Sequence, residues 1–177
     1  MTPDRYRRGA IAATIRYASA DSPLGRMLIA ATDKGICSIQ FGRSDAELLE
    51  GLKREFPFAA RKEDEGGLQS WVGQLLKQMQ GKNLDSALPL DIRATAFQRQ
   101  VWSYLQSIPF GQTRSYSEVA KAIGHPTACR AVARACATNP VAVVIPCHRV
   151  VRGDGSVSGY RWGLGRKKAL LQIEQRG

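Results

Sequence analysis

The sequence of 177 residues lacks several features that define common classes of protein. No apolar run approaches the ~20 residues that a membrane-spanning helix needs, and no signal-peptide pattern opens the chain. There are only two histidines, and the four cysteines have no metal-binding spacing, so a structural zinc site is not expected. Cysteines used this sparingly favour reduced thiols over disulfides. We therefore expect a soluble, cytoplasmic protein without a structural zinc site.

Acidic residues are scarce in the second half of the chain. Residues 93–177 contain 13 Lys and Arg, and their only acids are Glu118, Asp154 and Glu174, whereas residues 1–92 are nearly neutral. Positive charge concentrated in one folded region favours a polyanionic partner, and DNA or RNA is the first candidate. A basic surface that merely keeps the protein soluble is the alternative.

The first half is typical of a small α+β domain. Three short antiparallel strands are predicted within residues 13–42, separated by turns at Ser22-Pro23 and before Gly35. A helix follows from a capping box at Ser44 to about residue 56, and a second helix is predicted over residues 68–80. The polar stretch RKEDEGG between them is predicted to be a loop, and ALPLDI a strand that leads out of the domain. Nothing in this half suggests catalysis.

Helices dominate the predicted second half. Capping boxes open a helix at Thr95, which ends near residue 108, and another at Ser115, which spans residues 115–123. A third helix covers residues 127–138, and a last one covers about 165–175. The short connection between the second and third helices is typical of a helix-turn-helix, in which the second helix contacts DNA.

The predicted helix over residues 127–138 has two distinct faces. Arg130 and Arg134 are four residues apart and so share one face, which suits contact with DNA. Its alanines keep the helix thin enough to press into a groove. Cys129, Val132 and Cys136 lie on the other side and are predicted to be core residues.

The stretch VVIPCHRVV, residues 143–151, is predicted to be a buried strand that contains a thiol next to an imidazole. A cysteine acts as a nucleophile only when a base or a positive environment favours its thiolate. Because neighbours on a strand point to opposite faces, His148 would act on Cys147 through a bridging water. Glu174 is the acid left to orient His148. A buried structural cysteine beside a surface histidine is the alternative.

Several segments carry a resemblance to a known family. IPCHRV is similar to the active-site signature of the O6-alkylguanine-DNA alkyltransferases. The segments TAFQRQVWSYLQSIPFGQTRSYSEVAKAIG, RAVARACATNP and SGYRWG also resemble segments of that family, in the same order and spacing. The resemblance is strong from about residue 88 onwards and weaker before it. Within the family, the chain most resembles the C-terminal half of the Ada-type adaptive-response proteins.

The resemblance implies a reaction and a fold. It implies DNA repair by direct reversal, in which a cysteine takes the alkyl group from O6 of guanine, or O4 of thymine, irreversibly and once per molecule. The implied reaction needs no metal or other cofactor. It implies a ribonuclease-H-like domain over residues 1–90, with a three-stranded antiparallel sheet and helices. It also implies a mainly helical, winged-helix-like domain over residues 91–177. The implied partner is double-stranded DNA, bound by a monomer through the minor groove with the damaged base flipped out.

The resemblance also assigns catalytic roles. It implies that Cys147 is the acceptor, that His148 removes its proton through water, and that Glu174 orients His148. Asn139 is implied to hold this network, and Arg130 to fill the gap that the flipped base leaves.

Other residues of the family are implied to bind the base and the DNA. Tyr116 would contact the rotated base, and the carbonyls of Cys147 and Val150 would read the guanine amine. Tyr160 and the backbone of Arg161 would line the O6 side of the base. Trp162 stands where some members of the family have glycine, so we expect it to narrow the pocket mouth and favour methyl over benzyl-sized groups. The remaining implied DNA contacts are Ser117, Ala131 and Arg134.

Two other functions compete with this interpretation. A cysteine hydrolase would use Cys147, His148 and Asn139, but adjacency of nucleophile and base is unusual for such enzymes, and the basic charge would be unexplained. The other is a DNA-binding protein whose cysteine is inert. Separately, MTPDRYRRG resembles the tail of an AraC-type DNA-binding domain. We therefore expect Met1 to be an internal methionine and the chain to be the C-terminal part of a longer Ada-like regulator.

Overall fold

The computed structural model describes residues 14–82 and 87–177. Within these residues the chain divides into two compact units, one comprising residues 14–74 and 87–92 and the other comprising 75–82 and 93–177. The architecture is mixed α+β, with a sheet in the first unit and mainly helices in the second. The segment MTPDRYRRG lies outside the described residues. None of the described helices combines the length and the apolar character needed to cross a membrane.

The first unit contains a four-stranded sheet, one strand more than predicted. The strands β1 (Thr14–Ser22), β2 (Gly25–Thr32) and β3 (Gly35–Gly42) form the predicted antiparallel meander. The extra strand β4 (Ala60–Glu63) pairs in parallel with β1 and gives the order β3-β2-β1-β4. The prediction of a loop for this segment was wrong. As a largely exposed edge strand, β4 lacks the apolar alternation that identifies a strand in a sequence.

Helix α1 (Asp45–Glu55) covers one face of this sheet through Leu48 and Leu52. The predicted capping box at its start is half formed. Ser44 Oγ accepts from the backbone N–H of Glu47 at 3.2 Å, but the Glu47 carboxylate accepts from the N–H of Arg43 instead of Ser44. Helix α2 (Glu65–Met79) follows β4. The predicted strand ALPLDI forms only an isolated bridge between Ile36 and Leu90.

The predicted helices of the second unit are confirmed, with their ends shifted by one or two residues. They are α3 (Ala96–Gln106), α4 (Tyr116–Ala122), α5 (Cys129–Ala137) and α6 (Leu164–Arg176). Complete capping boxes form at Thr95 and Ser115, as predicted. Each satisfies two backbone N–H groups that a helix start would otherwise leave without partners.

Helix α5 is fixed to helix α3 at two points. Trp102 Nε1 donates to the carbonyl of Ala135 at 2.9 Å, and Gln98 Nε2 donates to Thr138 Oγ1 at 3.0 Å. Val132 and Ala135 are the buried residues of α5, whereas the predicted core residues Cys129 and Cys136 are only half buried.

The prediction of a strand over residues 143–151 was wrong. Only β6 (Val150–Val151) is a strand, and it pairs in parallel with β5 (Arg114–Ser115). Cys147–Arg149 form a single 3₁₀-helical turn, closed by a hydrogen bond from the N–H of Arg149 to the carbonyl of Pro146 at 3.0 Å. Pro146 has no N–H to contribute to a strand ladder, which breaks the extended chain where the apolar pattern favours it.

Candidate active site

Cys147 lies at the wall of a cavity in the second unit. Its side chain is buried, yet it borders a cavity of about 470 Å³. Burial raises the pKa of the Cys147 thiol well above its ordinary value, so the resting side chain is protonated at neutral pH. The cavity is lined by Tyr116, Ala133, Cys136, Ala137, Cys147, Arg152, Ser158, Gly159, Tyr160 and Arg161.

The Asn139 side chain connects Val141 and Ile145, the two ends of the short segment that precedes Cys147. Its Nδ2 donates to the Cys147 sulfur at 3.2 Å and to the carbonyl of Ile145 at 2.8 Å. Its Oδ1 accepts from the N–H of Val141 at 3.0 Å. The side chain is buried, so these bonds satisfy groups that water does not reach. Asn139 therefore fixes both the backbone of this segment and the position of the thiol.

His148 and Glu174 form a buried pair. His148 Nε2 lies 2.6 Å from Glu174 Oε1, and the imidazole is only 1% exposed, so the alternative of a surface histidine is wrong. Burial lowers the pKa of His148 and outweighs the opposing effect of Glu174, which makes neutral imidazole the resting form. His148 Nδ1 is buried and has no hydrogen-bond partner within residues 14–82 and 87–177.

Arg149 is a member of this cluster that sequence reasoning did not assign. Its Nε and Nη2 donate to the Glu174 carboxylate at 2.9–3.1 Å, and its Nη1 donates to the carbonyl of Ile108 at 2.7 Å. Burial by itself raises the pKa of Glu174, but the hydrogen bonds from His148 and Arg149 more than offset this and lower it to about 2. Glu174 is therefore a carboxylate whose charge Arg149 balances. The signal in the sequence was the position of Arg149, a permanent cation within an apolar stretch, which indicates a buried arginine that needs a counter-charge.

Lys167 is a second residue that sequence reasoning missed. It is 1% exposed, and its Nζ donates to the carbonyls of Ser158 and Gly159 at 2.9 and 3.1 Å. The same ammonium lies 5.9 Å from the centre of the Tyr116 ring. Lys167 thus holds the backbone of the cavity wall. In the sequence it is one of three consecutive basic residues at a helix start, which is typical of an exposed face.

The expected base-binding residues only partly surround the cavity. Tyr116 lines it and donates from its hydroxyl to the carbonyl of Ser158 at 3.2 Å. Tyr160 also lines it, and its buried hydroxyl has no partner in the described part of the chain. Burial raises the pKa of Tyr160. Arg161 lines the cavity and donates to the carbonyl of Asn139 at 3.0 Å, whereas Val150 is buried in β6 and is not a lining residue.

Trp162 does not line the cavity, contrary to the expectation that it narrows the pocket mouth. Its ring packs against the Arg161 guanidinium, 4.7 Å from the ring centre, and its carbonyl accepts from Arg166 at 3.0 Å. The backbone forms a turn here, in which the N–H of Gly163 donates to the carbonyl of Tyr160 at 3.0 Å and Gly163 has a φ of 97°. The position of Trp162 in the sequence did not predict this turn.

The expected DNA contacts lie on α4 and α5. Arg130, Ala131 and Arg134 are exposed, whereas Ser117 is half buried with its hydroxyl 3.0 Å from that of Ser115. Helix α5 also supplies three residues of the cavity wall. One short helix therefore presents arginines to solvent and borders the space next to Cys147. In the described ranges, no group of three or more His, Cys, Asp and Glu side chains is placed to hold a metal ion.

Comparison with known families identifies the chain. Residues 96–176 match the 6-O-methylguanine DNA methyltransferase, DNA binding domain, and residues 15–92 match the 6-O-methylguanine DNA methyltransferase, ribonuclease-like domain. The chain therefore belongs to the 6-O-methylguanine DNA methyltransferase family, as its motifs predict.

Individual relatives support this assignment. The chain is 49% identical over 174 residues to the bifunctional transcriptional activator/DNA repair enzyme Ada of Escherichia coli, which covers 98% of this chain and 49% of that protein. It thus spans about half the length of this relative. It is 39% identical over 162 residues to a methylated-DNA–protein-cysteine methyltransferase of Mycolicibacterium paratuberculosis, with 92% and 93% covered. The Mycobacterium tuberculosis OGT crystal structure in complex with DNA matches with a TM-score of 0.76 and 34% identity, covering 92% of this chain and 93% of that one.

Proposed function

We propose that this chain repairs alkylated DNA by direct reversal. Cys147 takes the methyl group from O6 of guanine, and also from O4 of thymine, and each molecule acts once. The observation that carries this proposal is that Cys147 borders a cavity and that the next residue, His148, forms a buried pair with Glu174. A soft sulfur nucleophile suits displacement at a methyl carbon, and the thiolate supplies the electron pair without a cofactor.

The proton of Cys147 goes to His148 in this mechanism. With its Nε2–H donated to Glu174, His148 has a lone pair at Nδ1 that accepts the proton through one bridging water. Arg149 supports this role because it balances the Glu174 charge and so leaves the imidazole neutral, with a lone pair available for a proton. The sulfur–carbon bond forms as the carbon–oxygen bond to guanine breaks, and the guanine regains a proton.

The cavity receives the flipped base. Its volume of about 470 Å³ is within the usual range of small-ligand sites. Tyr116 contacts the base, and the carbonyl of Cys147 reads its exocyclic amine. Tyr160 and the backbone of Arg161 lie on the O6 side. The Tyr160 hydroxyl has no hydrogen-bond partner among the residues that the structure describes, and a hydrogen bond to the base would offset the cost of its burial.

The DNA docks on helices α4 and α5, which act as a helix-turn-helix within a winged-helix-like domain that begins near residue 91. Helix α5 enters the minor groove, as its exposed alanines and arginines favour. Arg130 fills the gap left by the flipped base, while Ser117, Ala131 and Arg134 also contact the DNA. The protein binds as a monomer. The Mycobacterium tuberculosis relative in complex with DNA supports DNA as the partner.

Intact-mass spectrometry tests the proposal. The protein is mixed with duplex DNA that carries a single O6-methylguanine, and the product is mapped by peptide digestion. We expect a gain of one methylene unit on Cys147. Cys147→Ala is the matched control, which should bind the same duplex without any mass gain. DNA binding without methyl uptake by the unaltered protein would instead leave a protein that only recognises the lesion.

A further inference from the structure

Two thiols share the cavity of the proposed active site. Cys136, in the last turn of α5, lines the cavity together with Cys147. Cys136 is half buried, whereas Cys147 is 3% exposed, so small solutes reach Cys136 more easily. All four cysteines are free thiols, and neither Cys37 nor Cys129 lines this cavity.

The two thiols also interact with each other. The neighbouring Cys147 thiol lowers the pKa of the Cys136 thiol, because it favours the charged form of Cys136. The first proton therefore leaves the pair more readily than the second, because the remaining thiol donates to the thiolate. The Lys167 ammonium favours a thiolate at either sulfur. A thiolate in contact with a second thiol is the arrangement in which oxidation leads to a disulfide.

The proposed methyl transfer makes no use of Cys136. Asn139 positions the acceptor sulfur, and His148 with Glu174 accounts for its proton. An alanine at position 136 would preserve the small side chains that α5 places along the cavity at Ala133 and Ala137. The second thiol thus adds redox chemistry to the cavity that the repair reaction does not require.

We propose that Cys136 and Cys147 are a peroxide-sensitive pair that closes to an intramolecular disulfide and reversibly blocks the acceptor; the role of the block rests on the function proposed above. The Cys136 thiolate attacks a hydroperoxide, an S–O bond forms as the O–O bond breaks, and water or an alcohol leaves. The Cys147 sulfur then attacks this sulfenic acid, the S–S bond forms as the S–O bond breaks, and a second water leaves. Two thiols lose two electrons in total, and one peroxide gains them.

The disulfide has a protective consequence. A lone sulfenic acid at Cys147 would proceed under excess peroxide to sulfinic and sulfonic acids, which thiols do not reverse. The disulfide with Cys136 keeps the Cys147 sulfur out of this sequence, in a product that dithiothreitol reduces. Because each molecule can accept only one methyl group, the reversible disulfide would preserve the Cys147 thiol for repair after exposure to peroxide.

Graded hydrogen peroxide followed by non-reducing peptide mapping tests the proposal. We expect the whole chain to lose the mass of two hydrogen atoms, with a cross-linked peptide pair that contains Cys136 and Cys147. Dithiothreitol should restore the mass. Methyl uptake, expressed relative to each protein's own untreated capacity, should fall with peroxide and return with dithiothreitol. Cys136→Ala should lose uptake without recovery, and Cys129→Ala, altered on the same helix away from the cavity, should behave like the unaltered chain.

Two results would overturn the proposal. One is oxygen addition at Cys147 without any cross-link. The other is equal recovery of uptake in the unaltered chain and in Cys136→Ala. If the cross-link forms but the untreated chain takes up no methyl group, the redox pair stands and the proposed repair function fails, so the two ideas are judged separately.

Discussion

Arg149 donates hydrogen bonds to both oxygens of the Glu174 carboxylate. Its Nε lies 3.1 Å from Oε1 and 3.0 Å from Oε2, and its Nη2 lies 2.9 Å from Oε1. The same carboxylate lies 2.6 Å from His148 Nε2. The guanidinium is thus the permanent counter-charge, and the imidazole is left neutral within a cluster that carries no uncompensated charge.

Removing Arg149 should therefore destabilise the second unit and change the state of His148. Arg149→Met leaves a buried carboxylate without its cation, and we expect a loss of about 3–5 kcal/mol in unfolding free energy. The pKa of His148 should rise, because Glu174 would then draw a proton onto the imidazole. Urea unfolding and NMR titration measure these effects. Arg152→Met, which alters an exposed arginine, is the control, and equal stability of the two variants would contradict the assignment.

Stability should decline in two steps as the pH falls. The folded pKa of His148 lies below its ordinary value of 6.5, so the unfolded chain gains a proton first and stability is lost below about pH 6.5. The pKa of Glu174 is about 2 in the folded chain, against an ordinary value of 4.5. As the pH falls from 4.5 towards 2, the unfolded chain binds this proton first, and folding stability declines a second time.

The two histidines of the chain provide a matched test of the first step. His148→Gln should abolish the decline that begins near pH 6.5, whereas His125→Gln, at an exposed position, should leave it in place. Urea unfolding at a series of pH values measures both. A decline that persists unchanged in His148→Gln would assign it to another group.

Replacing Asn139 should weaken both the fold and the positioning of the thiol. Asn139→Ala leaves the Val141 N–H without its acceptor, and a buried group left unpaired costs about 1–3 kcal/mol. The Ile145 carbonyl loses one of two donors and keeps the N–H of Cys147 at 2.8 Å. Methyl uptake should slow as well, because the sulfur loses the amide at 3.2 Å. Asn139→Asp keeps the acceptor for Val141 and loses the donor, so it should recover part of the stability and none of the rate. Denaturant unfolding and single-turnover uptake separate the two effects.

Two arginines on the same face of α5 should differ in what they contribute. Arg130→Ala should slow methyl uptake from duplex DNA about ten- to a hundredfold, because flipping a base costs a few kcal/mol that the side chain helps to offset. Uptake from an alkylated single strand should change little. Arg134→Ala should instead lower affinity for all duplexes and reduce the salt dependence of binding. If Arg130→Ala slowed uptake equally from the duplex and from the single strand, Arg130 would have no role in flipping the base.

The sequence was sufficient to predict helices and turns where the signals come from residues that are close together in the chain. The capping boxes at Thr95 and Ser115 and the turn before Gly35 predicted their elements correctly, because the groups that define them are neighbours in the chain. The prediction failed at β4, since an exposed edge strand is specified by its pairing with β1 and not by its own residues. It also failed at Cys147, where Pro146 overrides the strand propensity of the flanking valines.

The cluster around the acceptor was only partly predictable. Pairing His148 with Glu174 was possible because few acids remain in the basic half of the chain. The apolar stretch around Arg149 signals that this arginine is buried, but the sequence does not show that Glu174 is the carboxylate it pairs with. Lys167 shows the same limit: its burial depends on two backbone carbonyls that come together only in the folded chain.

The nine residues of helix α5 leave little room for change. Val132 and Ala135 pack inward, Ala133, Cys136 and Ala137 border the cavity, and Arg130 and Arg134 are exposed. A larger side chain on the cavity side would enter the space proposed to receive a base, and one on the exposed side would hinder the proposed docking in the minor groove. In a library of random substitutions, this helix should therefore tolerate fewer replacements than α3 or α6, and its surviving variants should keep small residues at 133 and 137.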